Sequence, residues 1–379
     1  MHSVMNKRGL IKFSLSVWCL CISLMTYAQY GKYVDPKIGS EGLGRVFIGP
    51  SAPFGMVKPG PDCTCKPNSG WLPMPEVVTG FAQVHVSGTG GGPKYGNILV
   101  QPYCGGPDME SHEAKREYEN IELGYYNTRF QENGIQTELT TSDRCSFYQF
   151  TYPKESKRSL RVDAGFFLGE NPVPDAREAQ QFVGSEIEIV SDTEVRGYSR
   201  IRGGWNNGRA YTVYFYAVAD KPFTKTLTWK DKFSSLTENA QCDEGKKTGA
   251  VISWGEESTE STVKLKIGIS FLSSLKAQEN VRKEIPHWDF RQQLEKVRLQ
   301  WEKLLGRIEL GKGATEVQKR MFYTALYHTL IMPVDRTGEN PLWTDNAPYY
   351  DDFYAIWDTY RTSSPLITIL SPQRETDIV

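Results

Sequence analysis

From residue 30 to residue 275 the chain alternates apolar and polar residues in short runs divided by Gly, Pro and Asn, and helical periodicity is almost absent. Val263, Leu265, Ile267 and Ile269 take every second position, with Lys264, Lys266 and Gly268 between them. That spacing predicts a strand with one buried and one solvated face. Tyr211, Val213, Phe215 and Ala217 repeat it, as do Tyr148, Phe150 and Tyr152. Many such strands with turn signals between them predict a large β-sandwich over residues 29–275. The period then lengthens. Phe290, Leu294, Val297, Trp301 and Leu304 share one helical stripe, with Pro286 just before it. A short strand is predicted at 307–310, closing a linker over 276–312. Val317, Met321, Ala325, His328 and Met332 form a second stripe that Pro333 ends. After a loop at 335–350, a third helix is predicted from near Trp357 toward Leu370. Two or three helices leave apolar faces that need partners, and an exposed stripe of that size is an aggregation or partner-binding surface.

Composition narrows the function classes. Hydrophobic residues make up 39% and charged residues 23%, the balance of a folded globular chain and not of a disordered one. Net charge is −1, from 44 basic and 45 acidic residues, so no global field favours a polyanion and nucleic acid is not an expected partner. Lys7, Arg8 and Lys12 precede an apolar run at 13–25, and Thr26-Tyr27-Ala28 supplies a cleavage site. Residues 1–28 therefore read as a signal peptide, and the mature protein is expected in the periplasm or outside the cell, with no membrane span after cleavage. Trp18 before Cys19 and Leu20 before Cys21 argue against a lipoprotein signal. Cys63, Cys65, Cys104, Cys145 and Cys242 remain, an odd number without metal-ligand spacing.

Candidate chemistry concentrates at Trp357-Asp358-Thr359-Tyr360-Arg361, which offers a ring to stack on a sugar face, a carboxylate to accept hydroxyl hydrogen bonds, and a guanidinium three residues on to hold that carboxylate. With Pro365-Leu366 shortly after, this segment resembles the signature of glycoside hydrolase family 92. Three further blocks agree in order: 49–59 (GPSAPFGMVKP), 80–102 (GFAQVHVSGTGGGPKYGNILVQP) and 322–333 (FYTALYHTLIMP). The resemblance implies an exo-acting, inverting, calcium-dependent α-mannosidase acting on α-mannose-containing glycans. It implies a mainly β fold, in which a large N-terminal β-sandwich and a linker helix precede the first helices of an incomplete α/α toroid over 313–379. Family members are much longer. The catalytic acid, the base and the calcium ligands are expected beyond Val379, so no catalytic residue and no metal ligand is assigned here, and the chain is expected to be inactive alone. A second polypeptide carrying the rest of the toroid would be its partner. The competing expectation is a non-catalytic carbohydrate-binding or scaffold sandwich.

The resemblance makes Trp357 and Asp358 contacts to the terminal mannose, and it places a Gly-rich loop at the mouth of the site. That loop, 88–93, lacks the Gly-Lys-Ser/Thr ending and following helix of a phosphate loop. His85, Ser87 and Thr89 fall at alternating positions leading into it, so a persisting strand would put them on one face beside Gly90. They could bind a glycan hydroxyl or form an ordinary bonded sheet edge. Gly91 and Gln83 depart from the family pattern, which leaves leaving-group specificity open. Trp71 and Trp205 are candidate sugar platforms or lids over core edges, and His328 reads as a core histidine. Asp351 and Asp352, just ahead of the third helix, read as acidic residues favouring its N-terminal dipole.

Overall fold

The computed structural model describes residues 30–42, 45–87, 92–108, 113–170, 178–238, 241–345, 347–353 and 356–379, with backbone alone at 206, 234 and 241–245. The expected signal peptide lies outside these residues.

Among the described residues the alternating segments pair into two antiparallel sheets. The seven-stranded sheet runs Gly60–Cys63, Val78–Ala82, Leu99–Cys104, Lys157–Asp163, Thr248–Glu256, Lys225–Lys230, Lys232–Thr237. The nine-stranded sheet runs Gln241–Lys246, Gln180–Ile189, Glu194–Gly203, Tyr211–Ala219, Ser261–Ser270, Cys145–Tyr152, Gln136–Thr141, Tyr125–Phe130, Arg116–Glu122. Val263 sits opposite Phe150 and Leu265 opposite Tyr148, so the predicted apolar positions line one face in register. Phe81, Val100 and Leu160 of one sheet and Phe150, Phe215 and Leu265 of the other share a single buried core, as the sandwich reading expects.

The second face of the Ser261–Ser270 strand is not solvated. Helix α1 (Ser274–Glu284), capped by the Ser273 hydroxyl on Lys276 N at 3.1 Å, packs directly onto it. A Cβ at Gly268 would come within 2.4 Å of the Ala277 carbonyl, so the approach requires glycine. Lys266, on the same face, is buried: its ammonium lies 3.8 Å from the Trp288 ring centre and donates to Ile285 O at 2.9 Å.

Helix α2 (Phe290–Leu305) follows, with Asp289 as its N-cap. Its predicted stripe is buried throughout, and Trp301 donates to Ser51 O at 2.7 Å while its ring lies 4.6 Å from that of Tyr327. The strand expected at 307–310 does not form. Ile308 and Leu310 pack against the helical core without a pairing partner.

Helix α3 (Glu316–Thr329) opens on a capping box between Thr315 and Gln318. It buries Tyr323, Leu326 and Tyr327, whereas Val317 and Met321 of the predicted stripe are exposed. The larger aromatic face won. Val334–Asp335 then pairs with Tyr350–Asp351, the predicted third helix is broken into α4 (Ile356–Thr359) and α5 (Ser363–Leu370), and a further helix, α6 (Pro372–Ile378), follows it. Pro365 sits in the first turn of α5, where its missing N–H costs nothing, so a new helix begins instead of the old one continuing.

Buried carboxylates tie distant segments together. Glu339 accepts from Ser270 Oγ (2.6 Å), Phe271 N (3.0 Å) and Asn280 Nδ2 (2.9 Å). Glu302 accepts from the backbone N–H groups of Tyr30 and Gly31 at 3.0 and 2.7 Å. No helix of the described residues is long and apolar enough to cross a membrane.

Candidate functional site

The single turn of α4 carries Trp357 and Asp358 at the surface. Trp357 is 77% exposed, and its neighbours Ile356 and Tyr360 are also open, so the ring is free to meet a planar apolar face. The Asp358 carboxylate is exposed as well, while its backbone carbonyl accepts from the Thr362 hydroxyl at 3.1 Å. Arg361 does not hold this carboxylate. It lies past the end of α4, where the three-residue register is lost, and its guanidinium sits 5.0 Å from the centre of the Tyr360 ring.

Beside this turn opens a cavity of about 180 Å³, lined by His328, Met332, Asp352, Phe353, Thr359 and Ile367 among others. His328 presents a neutral imidazole there. Burial pushes it down to about 4, against the Pro36 carbonyl and Asp35, and its Nε2 has no partner among the described residues. A histidine first read as core is therefore a wall of the cavity. Glu375 of α6 also lines it, and burial raises the pKa of its carboxyl.

The loop entering the site is held from the sandwich. Tyr95, with φ +62°, donates its hydroxyl to Asp352 Oδ1 at 2.9 Å, and Lys58 Nζ lies 3.9 Å from Asp352 Oδ2. Lys58 also donates to Gly55 O at 3.3 Å, and desolvation lowers its ammonium to about 8 although Asp352 raises it. Asp351 accepts from Arg336 Nη1 (2.8 Å) and from the Tyr349 hydroxyl (3.1 Å). Neither acid caps the following helix. Asp351 belongs to a strand pair, and Asp352 adopts φ +69°, which returns its carboxylate to the sandwich.

The other expected contacts lie elsewhere. His85 is 1% exposed, with Nδ1 bonded to Lys58 O at 2.7 Å and Nε2 to Asp62 Oδ1 at 2.9 Å. Both nitrogens are occupied, so as placed it braces the sheet edge and offers nothing to a ligand. Ser87 is buried, and its carbonyl accepts from Phe47 N at 3.1 Å. Thr89 and Gly90 lie outside the described residues, and the strand expected to carry this row ends at Ala82, ahead of His85 and Ser87. Trp71 is no platform: it is 2% exposed and donates to Glu119 at 3.0 Å. Trp205 is half-buried, with the Lys94 ammonium 4.9 Å from its ring centre.

Sequence reasoning missed Lys58, Tyr95 and the true use of Asp352. A lysine embedded in the apolar run Phe54-Gly55-Met56-Val57-Lys58 was the available signal, because a charge in such a run needs a buried partner. Among the described residues no group of three or more His, Cys, Asp or Glu could hold a metal ion. No calcium site is assigned to this chain. The arrangement that remains, an exposed ring and carboxylate on a turn whose Thr359 reaches a cavity walled by His328, suits a polyhydroxylated ligand with one apolar face.

Family models agree with that chemistry. The glycosyl hydrolase family 92 N-terminal domain matches residues 33–270, and the glycosyl hydrolase family 92 catalytic domain matches residues 276–379. An uncharacterized secreted glycosidase of Arthroderma benhamiae is 28% identical over 353 residues, covering 87% of this chain and 45% of the fungal protein. A family GH92 α-mannosidase from Bacteroides thetaiotaomicron superposes with a TM-score of 0.80 at 25% identity, covering 92% of this chain and 48% of that one. Its complex with mannoimidazole gives 0.78 at 26% identity, covering 89% and 46%. The chain spans about half the length of these relatives.

Proposed function

This chain belongs to glycoside hydrolase family 92, and on that premise we propose that it forms the β-domain and the mannose-contacting start of the catalytic domain of an exported, exo-acting α-mannosidase. In this reading Trp357 stacks on the terminal mannose and Asp358 accepts its hydroxyl hydrogen bonds. Arg361 flanks the same turn. Hydrolysis proceeds with inversion and requires calcium, as the family resemblance implies, and the proton donor, the water-activating base and the metal ligands are assigned to no residue of this chain. Export is supported by the charged start and apolar run of residues 1–28.

The observation that carries the reading is the exposure of Trp357 and Asp358 together on a single turn whose Thr359 lines the cavity, within the stretch that matches the catalytic domain. Joining residues 29–379 to the remainder of a family 92 catalytic domain provides the test. The fusion should release mannose from an aryl α-mannoside, should ignore the β-mannoside and the α-glucoside, and should lose activity with a chelator. Proton NMR should show β-mannose as the first product. An inert fusion beside an active donor enzyme would leave this chain a carbohydrate-binding or scaffold sandwich.

A further inference from the structure

Asp352 stands five residues before Trp357, and its carboxylate is gripped by two side chains from separate parts of the sandwich. The Tyr95 hydroxyl donates to one oxygen at 2.9 Å, and the Lys58 ammonium lies 3.9 Å from the other. The Lys58 and Asp352 side chains are only 2% and 6% exposed, so water does not screen the pair. The backbone at Asp352 has φ +69°, a left-handed conformation uncommon for residues with a Cβ but one that Asp adopts more readily than most. By contrast, in the turn that follows Ile356, Trp357 and Tyr360 are exposed, and α4 is one turn long.

We infer that Asp352 is a positioning residue, a pin that Tyr95 and Lys58 hold in the sandwich so that the short turn bearing Trp357 and Asp358 is ordered before a sugar arrives. Pre-ordering matters because a ring and a carboxylate on a loose turn must be fixed at the moment of binding, which weakens affinity. The inference rests on the reading of Trp357 and Asp358 as mannose contacts for its consequence, but not for the pin itself.

The test uses the whole chain and three variants: Tyr95→Phe, which removes one hydroxyl, Asp352→Asn, which removes the charge, and the double variant Asp352→Asn with Lys58→Met. Hydrogen exchange reads the turn directly, since Tyr360 N bonds to Ile356 O and Thr362 N to Thr359 O, both at 3.1 Å. Exchange across 356–362 should quicken roughly tenfold in Tyr95→Phe and more in Asp352→Asn, because a hydrogen bond to a charged acceptor is lost or weakened. Exchange in Tyr211–Ala219 should stay unchanged. The double variant should regain the melting temperature that Asp352→Asn loses, since no buried ammonium is left unpaired, while the turn stays fast. That split separates positioning from general stabilisation.

Mannoimidazole is the binding probe, and its dissociation constant should rise about tenfold in Asp352→Asn. Unchanged exchange at 356–362, or an equal rise throughout the chain, overturns the pin. A freed turn with unchanged mannoimidazole affinity overturns its role in binding. The mannoimidazole titrations use residues 29–379 joined to the rest of a family 92 catalytic domain; a parent fusion that binds no mannoimidazole counts against the mannose reading of the turn, and the pin is then decided by exchange alone.

Discussion

Replacing Glu339 by Ala should be among the most destabilising single changes in the chain. The carboxylate is fully buried and receives three donors from three places: the Ser270 hydroxyl at the end of the sandwich, the Phe271 N–H just beyond it, and the Asn280 amide of α1. Arg144 Nε lies 3.9 Å from it. A hydrogen bond to a charged acceptor contributes about 1.5–3 kcal/mol, but bonds sharing one acceptor are not additive. The better guide is the cost of stripping one partner from a buried charged cluster, about 3–5 kcal/mol. With about 2.1 cal/mol/K of unfolding entropy per residue, a chain of this size shifts by about 1.4 °C per kcal/mol, so the melting temperature should fall by roughly 4–7 °C. Glu339→Gln keeps an oxygen for Ser270 and Phe271 but sets an amide against the Asn280 donor, so it should lose about half as much. Urea midpoints and calorimetry on the two variants decide the matter. A Glu339→Ala protein within about 1 kcal/mol of the parent, or a Gln variant as damaged as the Ala variant, would refute the view that this carboxylate ties the helical part to the sheet.

Other consequences follow from buried ionisable groups and from the N-terminus. His328 titrates near 4 in the fold against an ordinary 6.5, so the unfolded chain binds the extra proton between those values and stability should fall as pH drops through them. The full difference is on the order of 3 kcal/mol, and His328→Gln should flatten that slope in denaturant titrations. Desolvation lowers Lys266 to about 8 from an ordinary 10.5, which costs stability fully below about pH 8 and not at all above about 10.5. Lys266→Met should therefore be the more stable protein at pH 7, with the gap closing as pH rises toward 10; a parallel pair of curves would count against this. N-terminal sequencing of exported protein should begin at Gln29, and retention of Met1 would rule out cleavage after Ala28.

The sandwich was largely legible because period-two alternation is a local signal, and the registers of Val263 with Phe150 and Leu265 with Tyr148 follow from it. What covers the outer face was not. Helix α1 buries only Ala277, Asn280 and Val281, too short a stripe to announce itself, and so Lys266 looked solvated. Ile308 and Leu310 alternate like a strand, yet alternation alone supplies no pairing edge. In α3 two faces carried apolar residues, and pattern could not say that Tyr323 and Tyr327 outweigh Val317 and Met321. At the site, Trp357 and Asp358 announced themselves by residue type. Their support did not, because Tyr95 and Asp352 meet across 257 residues of sequence and no spacing rule reaches that far. At His85 the sequence left two readings open, a glycan contact and a bonded sheet edge. The residue's position beside a Gly-rich loop suggested ligand contact, while Asp62, which occupies Nε2, sat unremarked in an adjacent segment.

Hydrolysis of an aryl α-mannoside by the Asp358→Ala variant, measured in residues 29–379 joined to the rest of a family 92 catalytic domain, tests the central claim most directly. A carboxylate that accepts sugar hydroxyls contributes about 1.5–3 kcal/mol, so kcat/KM should fall roughly tenfold or more while the melting temperature, for so exposed a side chain, stays put. An Asp358→Ala fusion with the parent's kcat/KM would show that this Trp-Asp pair is structural, and would remove the residue-level basis for a mannose site in this chain.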